Sequence, residues 1–172
     1  MKNEFFKYTQ NNIPSPLARE NWIYIDAVGH YRQKPVAIPF SRDYYLGYQM
    51  FFTVSGMGFI QYEGKCQNML PGTVTCLDLR KKHTIDCVQS SFWEHYWILY
   101  KGEAFSGLYE SVFRNNNIYK INDYEFILTF FKELFEMKKT NCIHFDLKAM
   151  INILQVIYYI QTCRSVQALV YL

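Results

Sequence analysis

The sequence contains no apolar run of membrane-spanning length, which requires roughly 20 consecutive apolar residues. Its opening, Met1-Lys2-Asn3-Glu4-Phe5-Phe6, lacks the apolar stretch of a secretory leader. Excess charge is scarce too: a formal net charge of +3 is too small to make a nucleic-acid surface by itself. The five cysteines (Cys66, Cys76, Cys87, Cys142 and Cys163) are odd in number and nowhere spaced C-x-x-C. Reduced thiols fit that pattern better than a disulfide framework. These absences predict a soluble, cytoplasmic domain with no membrane partner.

The motifs of common catalytic centres are also missing. The four histidines, His30, His83, His95 and His144, form no H-x-H or H-E-x-x-H pair. A transition-metal site needs two or three such ligands plus a carboxylate converging on one point. His83 and His95 can approach across adjacent strands, but no third ligand accompanies them, so no metal is expected. There is no G-x-S-x-G elbow and no glycine-rich phosphate loop. The cysteines lack the basic or helix-start setting that makes a thiolate. Neither a catalytic residue nor a cofactor is predicted.

Apolar and aromatic side chains, by contrast, are plentiful. Half the chain is apolar, with 15 Tyr and 14 Phe, enough to bury the core of one domain. Both β-rich interiors and ligand pockets use such residues. Residues 1–21 read as an N-terminal arm. Pro14 and Pro16 argue against regular structure there, which leaves either a disordered tail or an arm packed down through Phe5, Phe6 and Tyr8. Residues 22–102 read as short strands separated by Gly and Pro turns: 22–28, 35–40, 44–54, 58–63, 65–70, 73–79, 83–88 and 92–100. That spacing suits a jelly-roll barrel. Arg80-Lys81-Lys82 is expected to be a solvated connection.

After Gly102 the period changes. Residues 103–172 read as a linker and a helical region. Asn122 is a candidate cap, and Phe126, Ile127, Phe130, Phe131, Leu134 and Phe135 recur at helical spacing. A second helix is predicted over 145–163. Leu147, Met150, Ile151, Leu154, Ile157 and Tyr158 make one apolar stripe on it, which Ile153, Val156 and Ile160 widen beyond one packing face. A helix so apolar needs cover on several sides. Ile153, Val156, Ile157 and Ile160 are therefore assigned to a homodimer interface.

The stretch with most to say is Phe92–Lys101. On a strand, alternate side chains share a face, so Trp93, His95, Trp97 and Leu99 point one way. If that face lines a cavity, a histidine between two indoles can grip a small polar molecule; if it is solid core, the same residues are only packing. Arg42 and His83 are the other candidates. Arginine offers paired planar donors, histidine one donor and one acceptor, and indole an apolar stacking face. Arg42, His83, Trp93, His95 and Trp97 form the candidate ligand-binding set.

An ordered series of short motifs bears on that choice: Arg42-Asp43-Tyr44-Tyr45-Leu46, Gly56-Met57-Gly58, Tyr62-Glu63-Gly64, Leu70-Pro71-Gly72, His83, Trp93-Glu94-His95-Tyr96-Trp97 and Gly102. The series resembles the N-terminal domain of AraC-family transcription regulators over roughly residues 22–164. The resemblance implies a cupin-like jelly-roll barrel followed by two antiparallel α-helices. It also implies loss of the cupin metal, a small-molecule effector held in the barrel, and a homodimer formed through the helices. Arg42, His95 and Trp97 match positions that contact sugar in that family, and His83 matches a histidine of its pattern. A tyrosine that follows this histidine in a sugar-binding member is unmatched, Thr84 and Ile85 standing there. The resemblance thus implies the sensing half of a bacterial regulator, with a sugar as effector. DNA would be reached only through a helix-turn-helix domain that this chain does not include. The alternative is a cupin-fold enzyme of the sugar isomerase or epimerase type, with His83 or His95 as base.

Overall fold

The Trp93–Lys101 strand is the hub of the computed structural model, which describes residues 5–36, 38–89, 91–140 and 144–170, the last eight by backbone alone. Among the described residues ten strands form two antiparallel sheets. In chain order they are β1 (Phe6–Asn11), β2 (Tyr24–Gln33), β3 (Phe40–Arg42), β4 (Tyr48–Gly56), β5 (Gly58–Tyr62), β6 (Lys65–Met69), β7 (Thr73–Asp78), β8 (His83–Cys87), β9 (Trp93–Lys101) and β10 (Ile118–Lys120). The larger sheet runs β1-β2-β9-β4-β7-β10, and the smaller β3-β8-β5-β6. The described residues also form four helices: α1 (Pro16–Asn21), α2 (Phe105–Phe113), α3 (Tyr124–Lys139) and α4 (Phe145–Val170).

The period-two alternation of β4 and β9 divides the interior in two. Phe51, Trp93 and Trp97 face the smaller sheet and pack with Ile60, Met69, Leu77 and Ile85. Met50, Phe52, Tyr96, Ile98 and Tyr100 face the other way and pack under α2, α3 and α4. The larger sheet is thus apolar on both faces, as a sheet sandwiched between a second sheet and a helical layer must be. Helices α3 and α4 lie antiparallel: Phe126 near the start of α3 meets Tyr159 late in α4 (ring centroids 5.3 Å apart), while Lys138 at the end of α3 lies over Phe145.

Several details depart from the sequence reading. Of the two forms left open for the arm the ordered one is found, but strand pairing holds it: β1 pairs along β2 from Phe6↔Arg32 to Asn11↔Ala27, while Phe5 and Tyr8 are exposed. Pro16 opens a short helix instead of preventing one. It occupies the first turn, where a missing N–H costs nothing, and the Ser15 hydroxyl accepts from the Ala18 N–H. The strand expected over 35–40 contracts to β3, since Pro35 and Pro39 cannot donate to a ladder. The stretch treated as linker holds α2 and β10, and β10 extends the larger sheet beside β7. The cap of α3 is Asp123, not Asn122; its carboxylate accepts from the Phe126 N–H at 3.0 Å.

The largest correction concerns α4. Ile153, Val156, Ile157 and Ile160 are at most 2 % exposed within this single chain, where they pack into the core beneath the helices. They are internal and cannot be an interface. The unpartnered face carries Leu147, Ile151, Leu154 and Tyr158, each at least 40 % exposed. Their 4-3-4 spacing makes one straight seam along the helix. The apolar excess read from the sequence is real, but the four residues assigned to an interface lie on the buried side of the helix.

Candidate functional site

A cavity of about 430 Å³ opens between the two sheets. Trp93, His95, Trp97 and Leu99 of β9 line one wall, with Phe51 beside them; Arg42 and Asp86 contribute from the smaller sheet, and Lys7 from β1. Lys7 and Arg42 sit on the edge strands of opposite sheets. Close backbone approach makes room for the indoles. Gly29 is the cross-strand partner of Trp97, and a Cβ there would stand only 2.3 Å from the indole Nε1 and Cε2. Gly58 does the same for Trp93, at 2.4 Å. Each ring lies flat over a backbone that has no side chain to lift it.

Within the wall the two tryptophans have different duties. Trp93 is 1 % exposed, stacks on the His95 ring at 3.5 Å and donates its Nε1–H to the Thr53 hydroxyl. Its polar group is therefore spent inside the protein. Trp97 is held edge-on by Tyr31, with centroids 5.6 Å apart, and Tyr31 in turn hydrogen-bonds Thr9 of β1 at 2.7 Å. The Nε1–H of Trp97 is buried and has no partner among the described residues. The same holds for Nδ1 of His95 and Oδ2 of Asp86. Leaving such an atom unpaired costs about 1–3 kcal/mol, and three of them border one cavity.

Burial drives the His95 pKa well below its ordinary 6.5, and repulsion from His30 and Lys7 adds to the effect. Near neutral pH this ring is uncharged, with one donor and one acceptor nitrogen. The cavity wall thus offers a donor-only indole, an amphoteric imidazole and an acceptor-only carboxylate, set among apolar surfaces. A small molecule with several hydroxyl groups can satisfy all three, because a hydroxyl both donates and accepts.

The structure gathers Arg42, Trp93, His95 and Trp97 around this space but leaves His83 out of its lining. His83 is paired with Arg42 across β3 and β8, its Nδ1–H donates to the Lys81 carbonyl at 2.8 Å, and burial lowers its pKa. Asp86 and Lys7 were missed. Asp86 was legible as a carboxylate set in an otherwise apolar strand end, Ile85-Asp86-Cys87. Lys7 could be placed only once β1 was known to pair with β2. Among the described residues no three His, Cys, Asp or Glu side chains cluster as metal ligands. Cys66, Cys76 and Cys87 are free thiols, burial raising that of Cys87 to about 11. Cys142 and the side chain of Cys163 lie outside the described residues. Arg80, Lys81 and Lys82 each meet a carboxylate, of Asp78, Glu63 and Asp43 respectively.

No family model matches the sequence, and no curated protein matches it either. Solved structures do. The AraC-like transcriptional activator CuxR aligns over 78 % of this chain and 51 % of its own, at 10 % identity and a TM-score of 0.57. This chain therefore spans about half the length of that activator. The cupin domain of an XRE-family transcriptional regulator from Enterobacter cloacae aligns over 56 % of this chain and 96 % of its own (13 % identity, TM-score 0.42). A cupin protein from Bacteroides fragilis aligns over 60 % of this chain and 89 % of its own (17 % identity, TM-score 0.40). No helix of the described residues is long and apolar enough to cross a membrane. The likeness to CuxR is one of fold: a jelly-roll-like pair of antiparallel sheets followed by helices.

Proposed function

We propose that this chain is the ligand-sensing and dimerising part of an AraC-type transcription regulator. It binds a small polar effector, a sugar, inside the barrel and passes the signal to a separate DNA-binding domain. The observation that carries this reading is the set of unpaired polar atoms, Trp97 Nε1, His95 Nδ1 and Asp86 Oδ2, around one cavity. Trp97 supplies a ring face for a sugar, and Arg42 and His95 hydrogen-bond its hydroxyls.

Signal passes by population shift between two arrangements of the barrel wall. Strand β9 presents His95 and Trp97 to the ligand and, on its reverse face, Tyr96 to Phe131 and Phe135 of α3, with ring centroids 6.3 and 6.4 Å apart. A wall displaced by ligand is therefore felt in the helices. Two copies associate through the Leu147, Ile151, Leu154 and Tyr158 seam of α4, whose spacing is that of a helix-pairing stripe.

Binding without turnover is favoured because His95, the histidine in the cavity, has its proton affinity depressed by burial and so is a poor general base at neutral pH. Thermal denaturation of the chain with a panel of aldoses, alditols, sugar acids and sugar phosphates tests the proposal. At least one raises the melting temperature, and Arg42→Ala abolishes the rise. No rise with any of them refutes it, and slow consumption of a bound sugar, followed by NMR, transfers the chain to the isomerase or epimerase class.

A further inference from the structure

The charged side chains around the cavity are unbalanced in a way that narrows the ligand class. Among the described residues three charged ones line it: Lys7, Arg42 and Asp86, two positive against one negative. Neither cation forms an ion pair among the described residues. Arg32, Arg80, Lys81, Lys82 and Lys101 each reach a carboxylate, but among the described residues Lys7 and Arg42 reach none. They rest on aromatic faces instead. The Arg42 guanidinium lies 5.0 Å from the Phe40 ring centroid and 4.8 Å from that of Tyr45, and the Lys7 ammonium 5.6 Å from that of Tyr31. Ring contact holds a cation in place without using its N–H donors. The two groups thus stand ready on edge strands of opposite sheets, beside a wall of unpaired hydrogen-bonding atoms.

We infer that the cavity takes an anionic polyhydroxy compound: a small molecule of sugar size bearing one carboxylate or phosphate group between Lys7 and Arg42, with its hydroxyls on Asp86, His95 and Trp97. This rests on the effector-binding reading above and specifies it. Arginine's forked donors match a carboxylate or phosphate edge, and a lysine from the facing sheet adds a second charge. Asp86 Oδ2 accepts from a hydroxyl, and Trp97 Nε1–H donates to one. An aldose without an anionic group satisfies the deep atoms but leaves both cations unpaired. A simple anion without hydroxyls does the reverse.

The test uses matched probes on the full chain: glucuronate, glucose 6-phosphate and glucose, the galactose counterparts of each, and inorganic phosphate alone. Affinities come from calorimetry and stabilisation from thermal denaturation. One or more of the anionic sugars binds at least about tenfold more tightly than its neutral partner, the scale of one charge-assisted hydrogen bond. Arg42→Gln and Lys7→Gln each remove most of that preference while leaving the melting temperature of the unliganded chain unchanged. A response to the uronates alone identifies a sugar acid, and a response to the phosphates alone a sugar phosphate; either supports the inference. Equal affinity for neutral and anionic partners, or a preference that survives both substitutions, overturns it while leaving the effector-binding proposal intact. Inorganic phosphate binding as tightly as the sugar phosphates also overturns it, since the hydroxyl contacts then contribute nothing. If none of the probes binds, both readings fall together.

Discussion

A single methyl group at position 29 tests whether the Trp97 indole is held where the cavity needs it. Gly29 lies opposite Trp97 across β2 and β9, and its Cβ would stand 2.3 Å from Nε1 and Cε2 and 2.5 Å from Cζ2 of the ring. Ordinary carbon contacts are about 3.5–4.0 Å, so an alanine overlaps the ring by more than an ångström. Gly29 does not have a positive φ, so the backbone itself accepts an alanine and the cost falls on the indole. That ring is fixed edge-on by Tyr31, which leaves the cavity side as the direction of escape. Overpacking of this kind costs about 1–3 kcal/mol, and the stiffer unfolded chain of an alanine variant returns about 0.4–1 kcal/mol. At about 2–4 °C per kcal/mol for a chain of this size, Gly29→Ala should melt roughly 2–8 °C lower. Effector binding should fall further than stability, because the displaced ring occupies the space the ligand needs. The assay is paired thermal denaturation and calorimetry of Gly29→Ala, Trp97→Phe and the double variant. Phenylalanine lacks the ring atoms nearest Gly29, so it should recover part of the loss caused by alanine. An unchanged melting temperature in Gly29→Ala, or losses that simply add in the double variant, refutes the argument.

Three further outcomes follow from other parts of the molecule. The pKa of His95 is depressed on folding, so the unfolded chain takes up a proton as pH falls through 6.5 while the folded one does not. Stability should be flat above that value and fall below it. His30 and His83 act in the same direction. Urea midpoints at pH 7.5 and 5.0 measure the loss, and it should shrink in His95→Gln. On α4, Ile153→Ala should cost about 2–5 kcal/mol as a core truncation, whereas Leu154→Asp should leave the fold intact. By sedimentation, Leu154→Asp should convert two associated copies to one; an unaltered mass would remove the exposed seam from the interface. Asn12 ties the end of the arm to the body: its amide donates to Ile25 O and Asp146 Oδ1, and its carbonyl accepts from Lys138. Asn12→Ala should cost about 1–3 kcal/mol and raise amide exchange in β1 before any other strand.

Much of the fold was legible because its signals are local. Alternation in β9 and β4, the Gly64 turn and the apolar period of α3 are patterns within a few residues of one another. What was misread depends on partners distant in sequence. Strand β1 is polar and short, and nothing within it shows that β2 offers a free edge. Helix α2 and β10 fall in a stretch whose turns looked like linker until Tyr109 and Tyr119 are seen buried. In α4 apolar residues occupy nearly every side, so no period in the sequence distinguishes the face on the sheet from the face in solvent. The site shows the same division. Trp93, His95 and Trp97 could be grouped from alternation alone, whereas Lys7 and Asp86 join them only through strand pairing and sheet packing.

The surroundings of β9 also bear on why its inner face is a pocket wall and not a filled core. A barrel closed by side chains alone would pair its polar groups within itself, as Trp93 does with Thr53 and as Glu94 on the reverse face does with Arg32, His30 and Ser55. Those pairings show that this strand satisfies its polar groups where packing is the only requirement. Two positions along from Trp93, His95 keeps a nitrogen unpaired; two further on, Trp97 keeps its N–H unpaired; and Asp86 does likewise from the other sheet. Each omission lies on the cavity, at a cost of about 1–3 kcal/mol that a different side chain would avoid. Phenylalanine at 97 or leucine at 95 would pack as well and carry no such penalty. A stability selection alone therefore should prefer them, and Trp97→Phe in an otherwise native chain should melt no lower than the parent while losing affinity for the effector. A lower melting temperature for Trp97→Phe without loss of binding would assign the indole to the core.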